Sequence, residues 1–84
     1  MLYVLLSYFY KNKLDSSLND LDIALKQNPK TTKYYIAKSK TLAMLGDRKE
    51  ALILLNKVIL VAPTYEAYIA RGEFYLENLD YQKA

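Results

Sequence analysis

Glu73 and Glu77 stand four residues apart, one helical turn, and are the nearest approach to a carboxylate pair in the chain. Such a pair can divide acid and base work only where burial or a neighbouring charge holds its two carboxyls in different states. The surrounding residues offer neither, so the bland reading is a solvated helix face. The other acids are scattered. With no cysteine and no histidine, the chain also lacks Cys–His and Ser–His nucleophile systems and the side chains that build most zinc and transition-metal sites. We expect no enzyme, no metal and no cofactor, and disulfides are excluded.

Binding is the remaining class of function. Twelve Lys and Arg against nine Asp and Glu leave a net charge of +3 over 84 residues. The basic residues are spread along the chain, with only a spaced set at Lys33, Lys38 and Lys40. A nucleic-acid binder clusters its positive charge on one face and interleaves aromatics, so nucleic acid is not the expected partner. The opening run MLYVLLSYFY lacks the basic flank and small-residue cleavage site of a signal peptide. It is also about half the roughly 20 residues that a membrane span requires. The second apolar stretch, Ala51 to Ala62, is broken by Asn56-Lys57. Both read as buried helices, no membrane span is expected, and the expected location is cytoplasmic.

The elements that would carry a binding surface follow a fixed period. The two prolines, Pro29 and Pro63, lie 34 residues apart. Before each comes an amphipathic segment, Ser17, Leu18, Leu21, Ala24, Leu25 in the first and Ala51, Leu52, Leu55, Val58, Ile59 in the second, and the two superpose with that shift. Ahead of them stand the turn signals Lys11-Asn12-Lys13 and Leu45-Gly46-Asp47, whose Asn12 and Gly46 tolerate a left-handed backbone at a helix end. A third copy opens at Tyr68-Ile69-Ala70-Arg71-Gly72, against Tyr35-Ile36-Ala37-Lys38-Ser39, and turns at Asn78-Leu79-Asp80-Tyr81. These signals predict an all-α chain with helices near 1–11, 14–27, 32–45, 48–61 and 65–78. Thr31 or Thr32 and Asp47 are the expected caps, and short connections make successive helices antiparallel.

With these residues in place the chain resembles the tetratricopeptide repeat, a helix pair of about 34 residues with large, small and closing-proline positions at set spacing. In the second copy Tyr35 stands for the Trp, Ser39 for the Gly and Leu42 for the Tyr, followed by Gly46-Asp47, Ala51, Leu55, Val58 and Pro63. The third copy has Tyr68, Gly72, Tyr75, Asp80-Tyr81 and Ala84; the first, the poorest match, has Tyr8, Ser17, Leu21, Ala24 and Pro29. Lys38 and Arg71 depart from the family's Leu. The resemblance implies an antiparallel helix-hairpin solenoid of about two and a half repeats, with repeat 1 at 1–31, repeat 2 at 32–64 and a partial repeat 3 at 65–84, read as an excerpt of a longer solenoid. Ser39, Gly72, Ala24 and Ala51 would let paired helices approach closely, and the tyrosines would fill between pairs.

By that resemblance the function is a scaffold that binds a protein or peptide in a groove lined by the first helix of each pair. The groove would be drawn from Leu2, Leu6 and Phe9, from Lys33, Ile36, Lys40 and Ala43, and from Glu66, Ile69, Glu73 and Leu76, each set one helical stripe. Lys33 would face Glu66 and Lys40 would face Glu73 around an apolar floor of Leu6, Phe9, Ile36 and Ile69. Two alternatives stand beside it. One is the related pentatricopeptide repeat, which reads RNA base by base but lacks the Gly-Asp turn and closing proline. The other is a structural solenoid self-associating through the apolar first helix. A subset of the family grips chaperone-tail carboxylates with Lys, Asn and Arg, and the matching positions here are Leu2, Leu6, Ala37, Glu66 and Ala70. We therefore predict that calorimetric titration with an acidic chaperone C-terminal peptide gives no binding. A micromolar complex that depends on the terminal carboxylate would show that a clamp exists after all.

Overall fold

Pro29, Gly46 and Pro63 divide the chain, because a proline cannot continue a helix and a glycine can leave one through positive φ. A computed structural model describes the backbone of residues 2–83 and the side chains of residues 10–79. The described chain is all α, with α1 (Leu2–Gln27), α2 (Thr32–Met44), α3 (Arg48–Val61) and α4 (Tyr65–Lys83) packed antiparallel. The last three begin where the sequence places them.

The first hairpin is a correction. α1 runs unbroken through Lys11-Asn12-Lys13 for 26 residues, so the described residues form four helices rather than five. Neither glycine nor proline precedes Pro29, no residue of α1 takes positive φ, and an interior Asn costs a helix only about 0.6 kcal/mol relative to Ala. The flanking lysines are good helix formers, so nothing local forces a break. One consequence concerns Ser17, the counterpart of Ala51. It is exposed, because residues 2–11 extend the axis of α1 instead of folding back across it. The turn expected at Asn78-Leu79-Asp80-Tyr81 is likewise absent, and α4 continues through it to Lys83.

Each connection has its own chemistry. After α1 the Thr31 amide donates to the Asn28 carbonyl at 3.2 Å, with Pro29 in the second position that its fixed φ suits. The Tyr35 hydroxyl then donates to the Pro29 carbonyl at 2.8 Å, tying α2 to the turn that precedes it. At the end of α2 the Asp47 amide reaches the Leu42 carbonyl at 2.9 Å and the Gly46 amide reaches the Ala43 carbonyl at 3.1 Å. This paired closure requires a left-handed residue, and Gly46 supplies it at φ 96°. After α3 the Thr64 amide closes a three-residue turn over Pro63 onto the Ala62 carbonyl at 2.8 Å. Thr31 and Asp47 occupy the cap positions expected of them but make no side-chain cap hydrogen bond. The cap that does form is at α4, where the Thr64 hydroxyl accepts from the Ala67 amide at 3.3 Å.

Packing centres on α2, which meets α1, α3 and α4. Among the described residues α1 has no close backbone approach to α3 or α4. The core gathers Ala51 and Leu55 of α3 with Ala70 and Phe74 of α4, and Ile36, Leu42, Ala43 and Leu52 pack against it. Ser39 is buried at 1% exposure, and its hydroxyl donates to the Ile36 carbonyl at 2.7 Å, so the polar atom is satisfied inside its own helix. Gly72, expected to admit a close neighbour as Ser39 does, is exposed, and a Cβ there would meet nothing within 4 Å.

Polar ties link pairs of neighbouring helices. Lys38 of α2 pairs with Asp22 of α1 at 2.8 Å, and Arg71 of α4 donates to the Asn56 side-chain oxygen of α3 at 3.1 Å. The Arg71 guanidinium also lies 5.4 Å from the Tyr68 ring centroid.

The two glycines therefore answer substitution with opposite signs. Gly46→Ala should lower the unfolding free energy by about 1 kcal/mol, because an L side chain is strained at positive φ. Gly72→Ala should raise it by about 0.5–1 kcal/mol, because the helix interior gains propensity and the space is open. Urea midpoints followed by helical circular dichroism measure both. Shifts of the same sign would mean that the α2 closure or the openness of α4 around Gly72 is misplaced.

Candidate functional site

α2 and α4 lie side by side, and the shallow cleft between them encloses about 200 Å³. Its base is apolar, built from Leu55, Ala70 and Phe74, while Lys40 and Glu73 stand at its edge. Lys40 Nζ lies 3.9 Å from Glu73 Oε2, with both side chains 54% exposed. At that exposure and distance the pair contributes about 0–1 kcal/mol, so its role is to set the charge pattern of the rim rather than to hold the helices together.

Of the residues that the sequence assigns to the groove, Lys40, Ala43 and Glu73 converge on this cleft. Lys33 and Glu66 are exposed, and among the described residues they form no ion pair within 4.0 Å. Ile36 is half-buried and packs with Ala43 against the core cluster, so it supports the cleft from beneath. Ile69 and Leu76 stay in solvent at 53% and 66% exposure, extending the α4 surface beyond the cleft. The side chains of Leu2, Leu6 and Phe9 lie outside the described residues.

Met44, Phe74 and Glu77 line the cleft without having been assigned to it. Phe74 turns inward, 8% exposed, with its ring edge-to-face with Tyr75 at 5.9 Å. The available signal was that Phe74 lies four residues after Ala70, one turn along the same stripe. Met44 is exposed at the end of α2, where its Sδ accepts from the Tyr10 hydroxyl at 3.7 Å. Its only mark in the sequence was an apolar side chain two positions before a helix-ending glycine.

Glu73 and Glu77 share this cleft, and both are exposed. Among the described residues no group of three or more Asp, Glu, His or Cys side chains could hold a metal ion. No described helix is long and apolar enough to cross a membrane. The arrangement is an apolar base within a rim of both charge signs. Comparisons with protein-family models, with curated proteins and with solved structures give no match.

The two isoleucines should separate cleanly. Ile36→Ala should destabilise the fold by about 1–2 kcal/mol, as a half-buried residue packed on the core does, whereas Ile69→Asp should change stability by about 0.5 kcal/mol or less. Thermal and urea unfolding of the two variants measures the difference. Equal losses would mean that Ile69 is covered.

Proposed function

We propose that this chain is a helical-repeat scaffold of the tetratricopeptide kind, and that the α2–α4 face receives the apolar side of a partner helix or extended peptide. The observation that carries the reading is a recurring polar tie. Asp22 and Asn56 are 34 residues apart, Lys38 and Arg71 are 33 apart, and each basic residue reaches back to the preceding helix. The positions at which the family's Leu is replaced thus make the same cross-helix link twice. Independent helices have no reason to repeat that link at the period of the prolines.

The arrangement of contacts supports the same reading. In a closed four-helix bundle the first and last helices meet, whereas here α2 reaches α4 and α1 approaches only α2 among the described residues. Such an open order suits helix pairs laid side by side. The α2 residues Tyr35, Ser39 and Leu42 are covered in part or fully, while their α4 counterparts Tyr68, Gly72 and Tyr75 are exposed.

For the partner, exposed Ile69 and Leu76 offer an apolar strip along α4, with Glu73 between it and the cleft base of Leu55, Ala70 and Phe74 and with Lys40 and Glu77 at the cleft edge. An amphipathic helix laid along it would place its apolar face on the strip and its charges against both rims. The test is a nuclear magnetic resonance titration of the chain with a Leu-faced amphipathic peptide carrying alternating Lys and Glu. Saturable shifts along α2 and α4 are expected, and the double change Ile69→Asp with Leu76→Asp should abolish them while leaving helicity unaltered. Shifts caused instead by a single-stranded RNA oligonucleotide, or peptide binding that survives the double change, would overturn the reading.

A further inference from the structure

A second, larger cleft lies away from the α2–α4 face. It encloses about 460 Å³, within the range of pockets that hold small organic molecules. It opens where the last turns of α3 meet the Asn28–Thr31 turn and the start of α2. Leu54, Val58 and Val61 form its aliphatic wall, with Pro29 and Tyr35 opposite.

Three features give this cleft a preference among ligands. Its lining contains two cations, Lys30 and Lys57, and no acid. Among the described residues neither lysine takes part in an ion pair. The walls are held before any ligand arrives: the Tyr35 hydroxyl fixes the Pro29 carbonyl at 2.8 Å, and Val58 is anchored in the interior at 6% exposure. Val61, in contrast, is 87% exposed, so an occupant would cover apolar surface that now faces water. An apolar wall with unpaired cations matches a molecule with an apolar body and one negative group.

We propose that this cleft binds a small amphiphilic carboxylate, its aliphatic or aromatic body against Leu54, Val58 and Val61 and its carboxylate against Lys30 and Lys57. The site is separate from the α2–α4 face and stands whether or not that face binds a peptide. Its probe is decanoate, titrated below its micelle concentration into the full chain and followed by backbone amide shifts. Saturable shifts confined to residues 29–35 and 54–62 are expected, with decanol bound severalfold more weakly and decyltrimethylammonium not bound. Lys30→Gln with Lys57→Gln should remove the preference for the acid over the alcohol. Val61→Asp, at an exposed position that spares the fold, should abolish binding of both. The proposal fails if the shifts spread over the exposed side chains of α4 or do not saturate, or if the alcohol binds as well as the acid. It fails equally if decanoate is inert while a short peptide with an apolar C-terminal residue binds.

Discussion

The fold depends on how closely other helices can approach α2 and the face beside it. Where α2, α3 and α4 converge, the buried positions are held by short side chains, Ser39 at 1% exposure, Ala51 and Ala67 at 0% and Ala70 at 6%. Small residues let helix axes come to the near end of the usual packing range, about 8 Å. Leu55 and Phe74 then fill the space that remains. A longer side chain at Ser39 or Ala51 would separate α2 from α3 and loosen the base of the α2–α4 cleft, which rests on Leu55, Ala70 and Phe74. The hydroxyl of Ser39 adds no cost to this arrangement because its own helix accepts the hydrogen bond.

Around that contact the chain is held mainly by its corners. The Asn28–Thr31 turn, the glycine closure after α2 and the three-residue turn over Pro63 reverse the chain within a few residues, leaving successive helices no alternative to antiparallel neighbours. The polar ties Asp22–Lys38 and Asn56–Arg71 act in a different way. Each links a helix to the one after it across a partly exposed seam. Such contacts add little stability, but they favour one register of one helix against the next.

α4 keeps Tyr68, Tyr75, Leu76 and Leu79 in solvent, although the corresponding side of α2 is packed on α3. Leu76 lies near Glu73 around the helix, whereas Tyr68, Tyr75 and Leu79 are on the side of α4 opposite the rim of Lys40, Glu73 and Glu77. At the other end of α2 the cleft beside Lys30 and Lys57 has a single sign of charge. One helix thus borders two surfaces of different chemistry, separated along its length.

Much of this was legible in the residues alone. Pro29, Gly46 and Pro63 determined the starts of α2, α3 and α4, because backbone geometry at proline and glycine is a local property that needs no partner. The spacing of the stripe likewise placed Lys40 opposite Glu73. Other features needed the tertiary structure. Asn12 and Gly46 looked equivalent in the sequence, yet a helix passes through an exposed Asn at small cost, so α1 continued where a turn was expected. Ile36 and Ile69 share a stripe position, and only the packing of α2 on the core separated a supporting residue from an exposed one. The cleft between Pro29 and Val61 joins residues 32 positions apart, and its shape follows from how the end of α3 meets the turn before α2. Local sequence determines where a helix can stop. Which of its faces is covered depends on neighbours that only the folded chain brings together.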